Sequence, residues 1–200
     1  MKIWNCLVDG FPTEYKGYKM RTDWRIGVLL SMLMSDEGVD SDYRLPVALH
    51  TLYEEVPKDV NIAVEGLEWF MTSGRSEVCY ADGYTPPASP EKCIDFQQDS
   101  LDIYGAFMAH GIELEKTEMH WFKFMAMLTN LGDCPITQKI GMRSMDISKL
   151  KGEQRKQYAE MKERYRVRQL VTREEYKEIV DAMSEQYGSY YAKLMAAQSY

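Results

Sequence analysis

The chain lacks the short patterns that most often carry chemistry. No glycine-rich phosphate loop is present, neither G-x-G-x-x-G nor G-x-x-x-x-G-K-[ST], and no G-x-S-x-G elbow presents a serine. These absences exclude the common nucleotide-binding and hydrolase routes. The 4 cysteines, Cys6, Cys79, Cys93 and Cys134, form no C-x-x-C pair. A chain of 200 residues needs no covalent staple, so they read as reduced thiols of a cytosolic protein. The 3 histidines include no H-E-x-x-H helix. The longest apolar stretch, residues 26–34, falls far short of a membrane span, and the first residues are too short in apolar character for a signal peptide. The expectation is a soluble protein that is not exported.

What the chain has is an ordinary globular balance, 45% apolar and 28% charged, with 14 methionines and 14 tyrosines. Methionine fills irregular gaps and adapts to varied surfaces, so this richness suits either a core or a binding face. Charge is divided unevenly along the chain. Residues 1–142 hold 12 Lys and Arg against 22 Asp and Glu, a net −10, whereas residues 143–169 hold 9 against 4, a net +5. An acidic body argues against a dedicated nucleic-acid binder, which needs clustered positive charge, and leaves only the basic stretch for that role.

Periodicity predicts a mainly α protein: a bundle of about six to eight helices with a small N-terminal β-hairpin and a long C-terminal helix. The hairpin spans residues 13–20, with Gly17 supplying the positive φ of its turn. Thr22 or Asp23 caps a helix to about Met34; a second helix is expected over 45–55 with Pro46 in its first turn, and a third over 59–71. Residues 73–91, rich in glycine and proline, read as a long exposed loop. A fourth helix starts at Asp95 or Asp99, places Leu101, Tyr104, Phe107 and Met108 on one face, and ends at Gly111. A fifth begins near Thr117 with Trp121, Phe124, Met125 and Leu128 in register. Together these two read as an antiparallel helical hairpin forming the core. A sixth helix runs from Cys134-Pro135 to about Arg143, followed by a turn over 145–150 and a charged helix over 151–168. Thr172 caps the last helix. The domain reading is therefore a body over 1–170 and an amphipathic helix over 171–200.

Several residues invite a functional reading. Asp95 and Asp99, four apart, suit acid–base work, but carboxylates at a helix start cap N–H groups, and no nucleophile accompanies them. His110, Glu113 and His120 carry metal-ligand chemistry without a ligand spacing, and His120 reads as a packed histidine beside Trp121. The acidic run at Asp36, Asp40 and Asp42 fails as a calcium loop, because Ser41 and Val47 stand where glycine and glutamate belong. No catalytic residue, metal or cofactor is therefore expected. The stripe Tyr176, Ile179, Met183, Tyr187, Tyr191 and Leu194 is either the packing face of its own domain or a partner-docking face, and these are the partner-binding candidates.

One ordered series of residues goes further: Asp95-Phe96, Asp99, Ile103-Tyr104, Phe107, Gly111 to Leu114, His120-Trp121, Phe124, Leu128 and Leu131. It resembles the gene-product-fifteen family of tailed phages, found in long-tailed phages and prophages of Gram-positive bacteria. The earlier run from Tyr18 to Arg25, including Asp23 and Arg25, resembles the family's Tyr-x-Ile-x-Thr-Asp-Phe-Arg element with Trp24 in place of Phe. Arg143 to Ile147 fits its downstream turn. Phe122 stands where many members carry a second Trp, a change of packing more than of function. The resemblance implies that Asp23, Arg25, Asp95, Phe96, Asp99, Tyr104, Phe107, His120, Trp121 and Phe124 are structural signature positions. Family genes lie just before the tape-measure gene. The resemblance therefore implies a tail assembly chaperone in the host cytoplasm, absent from the finished virion, that binds the tape-measure protein; tail-tube subunits and a second copy of the chain, as a homo-oligomer, are further candidate partners. A structural head–tail or tail-completion component is the alternative, and a nucleic-acid binder ranks below it.

Overall fold

Residues 20–24 form a backbone junction to which three separate parts of the chain, near residues 13, 52 and 119–121, are bonded. The computed structural model describes residues 4–36, 38, 40–75 and 93–168. The chain divides into a unit over Met1–Val167 and a second over Arg168–Tyr200, and the described residues fall almost wholly in the first. Among them are eight α-helices and one two-stranded antiparallel hairpin, so the protein is mainly α.

After a single-turn helix α1 (Cys6–Asp9), the hairpin pairs β1 (Glu14–Tyr15) with β2 (Tyr18–Lys19), Tyr15 opposite Tyr18. Lys16 and Gly17 take the positive φ values, 47° and 84°, that a two-residue turn demands. The strand then runs past the end of α3 (Ser41–Leu52), where Arg21 N–H donates to Leu52 O at 2.8 Å and Glu54 N–H to Lys19 O at 3.1 Å. The Arg21 guanidinium also donates to the carbonyls of His50, Thr51 and Tyr53, the free acceptors at the C-terminus of α3. Asp23 next caps α2 (Trp24–Ser35) by accepting Arg25 N–H at 2.9 Å. On its other side this segment pairs with residues 119–121: Trp24 N–H donates to Met119 O at 3.0 Å and Trp121 N–H to Thr22 O at 2.7 Å.

Helix α3 starts a turn earlier than its sequence suggests. Asp40 caps it, accepting Asp42 N–H at 3.0 Å, so Pro46 lies inside the helix, and the Asp42 carbonyl deprived of its partner sits in an exposed first turn. Helix α4 (Val60–Met71), capped by Asp59, has the expected bounds, and buries Leu67, Trp69 and Phe70. Helix α5 (Ser100–Ala109) ends as expected: Ile112 N–H donates to Phe107 O and Gly111, at φ 75°, to Met108 O, the double closure that a left-handed glycine allows.

Helix α6 (Trp121–Leu128) begins later than expected. Residues 114–116 form a 3-10 turn, and 119–121 are taken by the pairing with 22–24, a long-range contact that outweighs local helix propensity. The expected α5–α6 hairpin core is also corrected. Helix α6 packs mainly on α2, and α5 on α7 (Pro135–Ser144), while α8 (Gly152–Tyr165) lies on α7. What α5 and α6 share is a ring stack, Phe107 on Phe124, at 5.1 Å between centroids and 6° between planes.

That stack belongs to an aromatic centre. Trp24 and Trp121 stack on Phe124 at 5.0 and 5.7 Å, Phe70 on Trp121 at 6.2 Å, and Phe96 meets Trp121 edge-on at 5.9 Å. Phe122 packs among Trp4, Trp69 and His120. Each such pair adds about 0.5–1.5 kcal/mol beyond the area it buries. The close approach of α2 to α6 depends on Gly27, where a Cβ would occupy the Trp121 indole ring. The expected loop over 73–91 lies, beyond Arg75, outside the described residues, as does the last helix from Thr172.

Candidate partner-binding surface

The carboxylates that suggested acid–base chemistry are spent on structure. Asp95 accepts N–H bonds from Gln97 at 3.0 Å and Gln98 at 2.9 Å, capping the turn before α5. Asp99 stands at the N-cap position of α5 but caps nothing with its side chain. It is wholly buried, and Arg143 grips it with two bonds of 2.5 and 2.9 Å. Asp99 also accepts Asp95 N–H at 3.0 Å. The remaining donors of Arg143 reach Cys93 O at 2.9 Å and Tyr165 O at 2.5 Å. Lys139, one helical turn before Arg143, pairs with Asp102, one turn after Asp99. A carboxylate sealed in this way has no open lone pair for a substrate proton. The expected capping role thus holds for Asp95 and is replaced at Asp99 by an ion pair that ties α5 to α7 and to the end of α8.

Arg143 was legible only as the end of the sixth helix and part of a downstream turn. Its real signal was a matched pattern, with acids at 99 and 102 and bases at 139 and 143, each pair on one helix face.

The histidines are engaged by backbone. His110 Nε2 lies 3.1 Å from Leu131 O. His120 accepts Phe122 N–H on Nδ1 at 3.0 Å, capping α6, while its Nε2 donates to Pro12 O at 2.8 Å, and its ring stacks on Phe11 at 5.2 Å. Burial lowers its pKa from the usual 6.5, with the bond to Pro12 opposing that shift. Among the described residues no group of three or more His, Cys, Asp or Glu gathers as metal ligands would.

Signature residues of the first element are likewise fixed by neighbours. Arg25 lies over the Trp24 ring at 4.7 Å and donates to Leu114 O at 3.2 Å and Glu115 O at 3.3 Å. Phe107, Trp121 and Phe124 are buried, and Phe96 is half-buried against them.

Tyr104 is different, and with it the face of α5. The residues expected on its buried face, Leu101, Tyr104 and Met108, point outward, 83%, 37% and 42% exposed; only Phe107 of that set is buried. The packed face is Ile103, Ala106 and Phe107 instead. The reason is that α5 is apolar nearly all round, so sequence spacing admits either face, and the Asp99–Arg143 and Asp102–Lys139 pairs select the side turned to α7. The outward stripe spans i, i+3 and i+7, with Gly105 between leaving open space. Along it, Tyr104 O–H donates to the Glu115 carboxylate at 3.0 Å, and Glu113, paired with Lys116, lies close by. The bond to Glu115, with a smaller contribution from Glu113, raises the Tyr104 hydroxyl pKa above its usual 10.0.

A concavity of about 530 Å³ lies between α7 and α8, lined by Arg143, Ile147, Ala159, Lys162, Glu163, Arg166 and Val167. Its cations are engaged: Lys162 donates to Met145 O at 3.0 Å and Arg166 pairs with Glu163 at 3.7 Å. The candidates Tyr176, Ile179, Met183, Tyr187, Tyr191 and Leu194 lie outside the described residues. No helix among the described residues is long and apolar enough to cross a membrane.

No curated protein and no solved structure matches the chain. The model of the family described as Bacteriophage Gp15 protein matches residues 5–167. That span takes in the hairpin, the aromatic centre, the Asp99–Arg143 pair and all of α8, so the chain belongs to the Bacteriophage Gp15 protein family.

Proposed function

We propose that this phage protein is a tail assembly chaperone that binds the tape-measure protein while a long tail is built. Membership of the phage family over residues 5–167 carries the reading, because the resemblance places such genes just before the tape-measure gene. The chemistry of the surface supports it. The outward stripe of α5 is apolar and adaptable, with an unbranched Met108 and an amphipathic Tyr104, as suits a protein that masks greasy helices without one fixed register. The buried carboxylate is closed by Arg143, and we assign the chain no bond-making role. On this reading it works in the host cytoplasm, keeps the tape-measure protein soluble while tail-tube subunits polymerise, and is absent from the finished virion.

Co-expression tests the proposal. The tape-measure protein of the same phage should move from the insoluble to the soluble fraction with this chain present, and the two should co-purify. Unchanged solubility without co-purification would reject it. Mass spectrometry of purified virions separates the alternative, since stoichiometric amounts in the particle would make the chain a structural head–tail or tail-completion component. The exposed basic side chains of α8, Arg155, Lys156 and Arg164, leave nucleic acid as a third outcome, recognised by binding that falls steeply with salt.

A further inference from the structure

We infer that the outward face of α5 is a docking site for an amphipathic helix whose apolar face is flanked by lysine or arginine. The site is built from Leu101, Tyr104 and Met108, which place apolar surface over two helical turns, roughly 10 Å of axis, with nothing beside Gly105 to fill the gap between them. A residue as apolar as leucine standing 83% exposed at the head of such a stripe costs solvation that a partner would recover.

Charge says which partner. The segment 113–116 runs beside α5, and its Glu115 takes the Tyr104 hydroxyl bond, with Glu113 beside it. Lys116 pairs with Glu113 and also acts on Glu115, while Arg25, which reaches Glu115 O, is matched by Asp23, so two carboxylates face one lysine at this rim. On the other flank the charges of Asp102 and Lys139 cancel. The stripe is thus bordered by net negative charge, on a unit, residues 1–167, that holds 20 Lys and Arg against 26 Asp and Glu, a net −6. A helix with basic flanks gains attraction here, and one with acidic flanks meets repulsion. The inference rests on the chaperone reading only for which natural protein supplies the helix.

The site is tested with two synthetic helical peptides sharing one leucine face, one flanked by lysines and one by glutamates, by fluorescence anisotropy. The wild-type chain should bind the lysine peptide at least about tenfold more tightly. Leu101→Asp/Met108→Asp, at exposed positions, should leave the thermal midpoint in place and abolish binding. Glu113→Lys/Glu115→Lys should reverse the preference. Equal binding of both peptides, no binding, or binding that survives Leu101→Asp/Met108→Asp overturns the inference. So does a wild-type chain that self-associates through this face in preference to the peptide, for which the basic residues 143–169 of a second copy would be the occupant. The two proposals fail separately. If the wild-type chain solubilises the tape-measure protein and Leu101→Asp/Met108→Asp does so equally well, the chaperone reading stands and the α5 site falls. If the peptides bind as expected and tape-measure solubility is unchanged, the site stands and the chaperone reading falls.

Discussion

Asp99 and Arg143, 44 positions apart, meet through two bonds of 2.5 and 2.9 Å at a point where Asp99 is wholly buried and Arg143 is 5% exposed. The pair is a fixed joint between α5, α7 and the last turn of α8. A buried ion pair contributes little net energy compared with an apolar substitute, but losing one partner strands a charge away from water.

Arg143→Met should therefore destabilise the fold by about 3–5 kcal/mol, read from urea unfolding. Asp99→Leu/Arg143→Met should cost clearly less than the two single changes summed, because no charge is left stranded. Additive costs would show that the two residues act independently.

Gly27→Ala tests the contact between α2 and α6. On an open helix face the added methyl would stabilise slightly, but here it enters the Trp121 ring. A loss of about 1–3 kcal/mol is expected, some 2–4 °C in thermal midpoint for each kcal/mol. Trp121→Leu in the same chain should cost less than it does beside the native glycine, since the smaller side chain makes room.

Acid should weaken the fold through His120. Burial holds its folded pKa below 6.5, so the unfolded chain takes up a proton first as pH falls. The stabilisation is complete above about 6.5 and declines as pH drops toward the folded value. Protonation of Nδ1 would also turn an acceptor into a donor facing Phe122 N–H. Urea midpoints from about pH 7.5 to about pH 5 should show this decline. In His120→Asn, which keeps a cap acceptor but does not titrate, the decline should be shallower although the starting stability is lower.

Asp23→Ala should cost about 1 kcal/mol through the lost cap of α2, and Asp23→Ser much less, measured by thermal unfolding. Equal losses would mean that the ion pair with Arg25, 3.4 Å away and half exposed, matters more than the cap.

The sequence by itself determined what depends on near neighbours. The turn at Gly17, a cap at Thr22 or Asp23, the helix starts at Asp59 and Cys134-Pro135, and the stop at Gly111 follow from local φ preferences and side-chain acceptors; the structure has each there, with Asp23 as the cap of the first pair. Only tertiary structure decided the start of α6, because the competing bonds to residues 22–24 come from a hundred positions away. It also decided the facing of α5. A helix apolar on most sides carries no periodic signal for orientation, and its direction was settled by Asp99 and Asp102 finding Arg143 and Lys139, a match that the spacing of the two pairs permits and only the packing of α5 on α7 selects. The surface on which the function is proposed to rest is the side of α5 left over when that ionic choice was made.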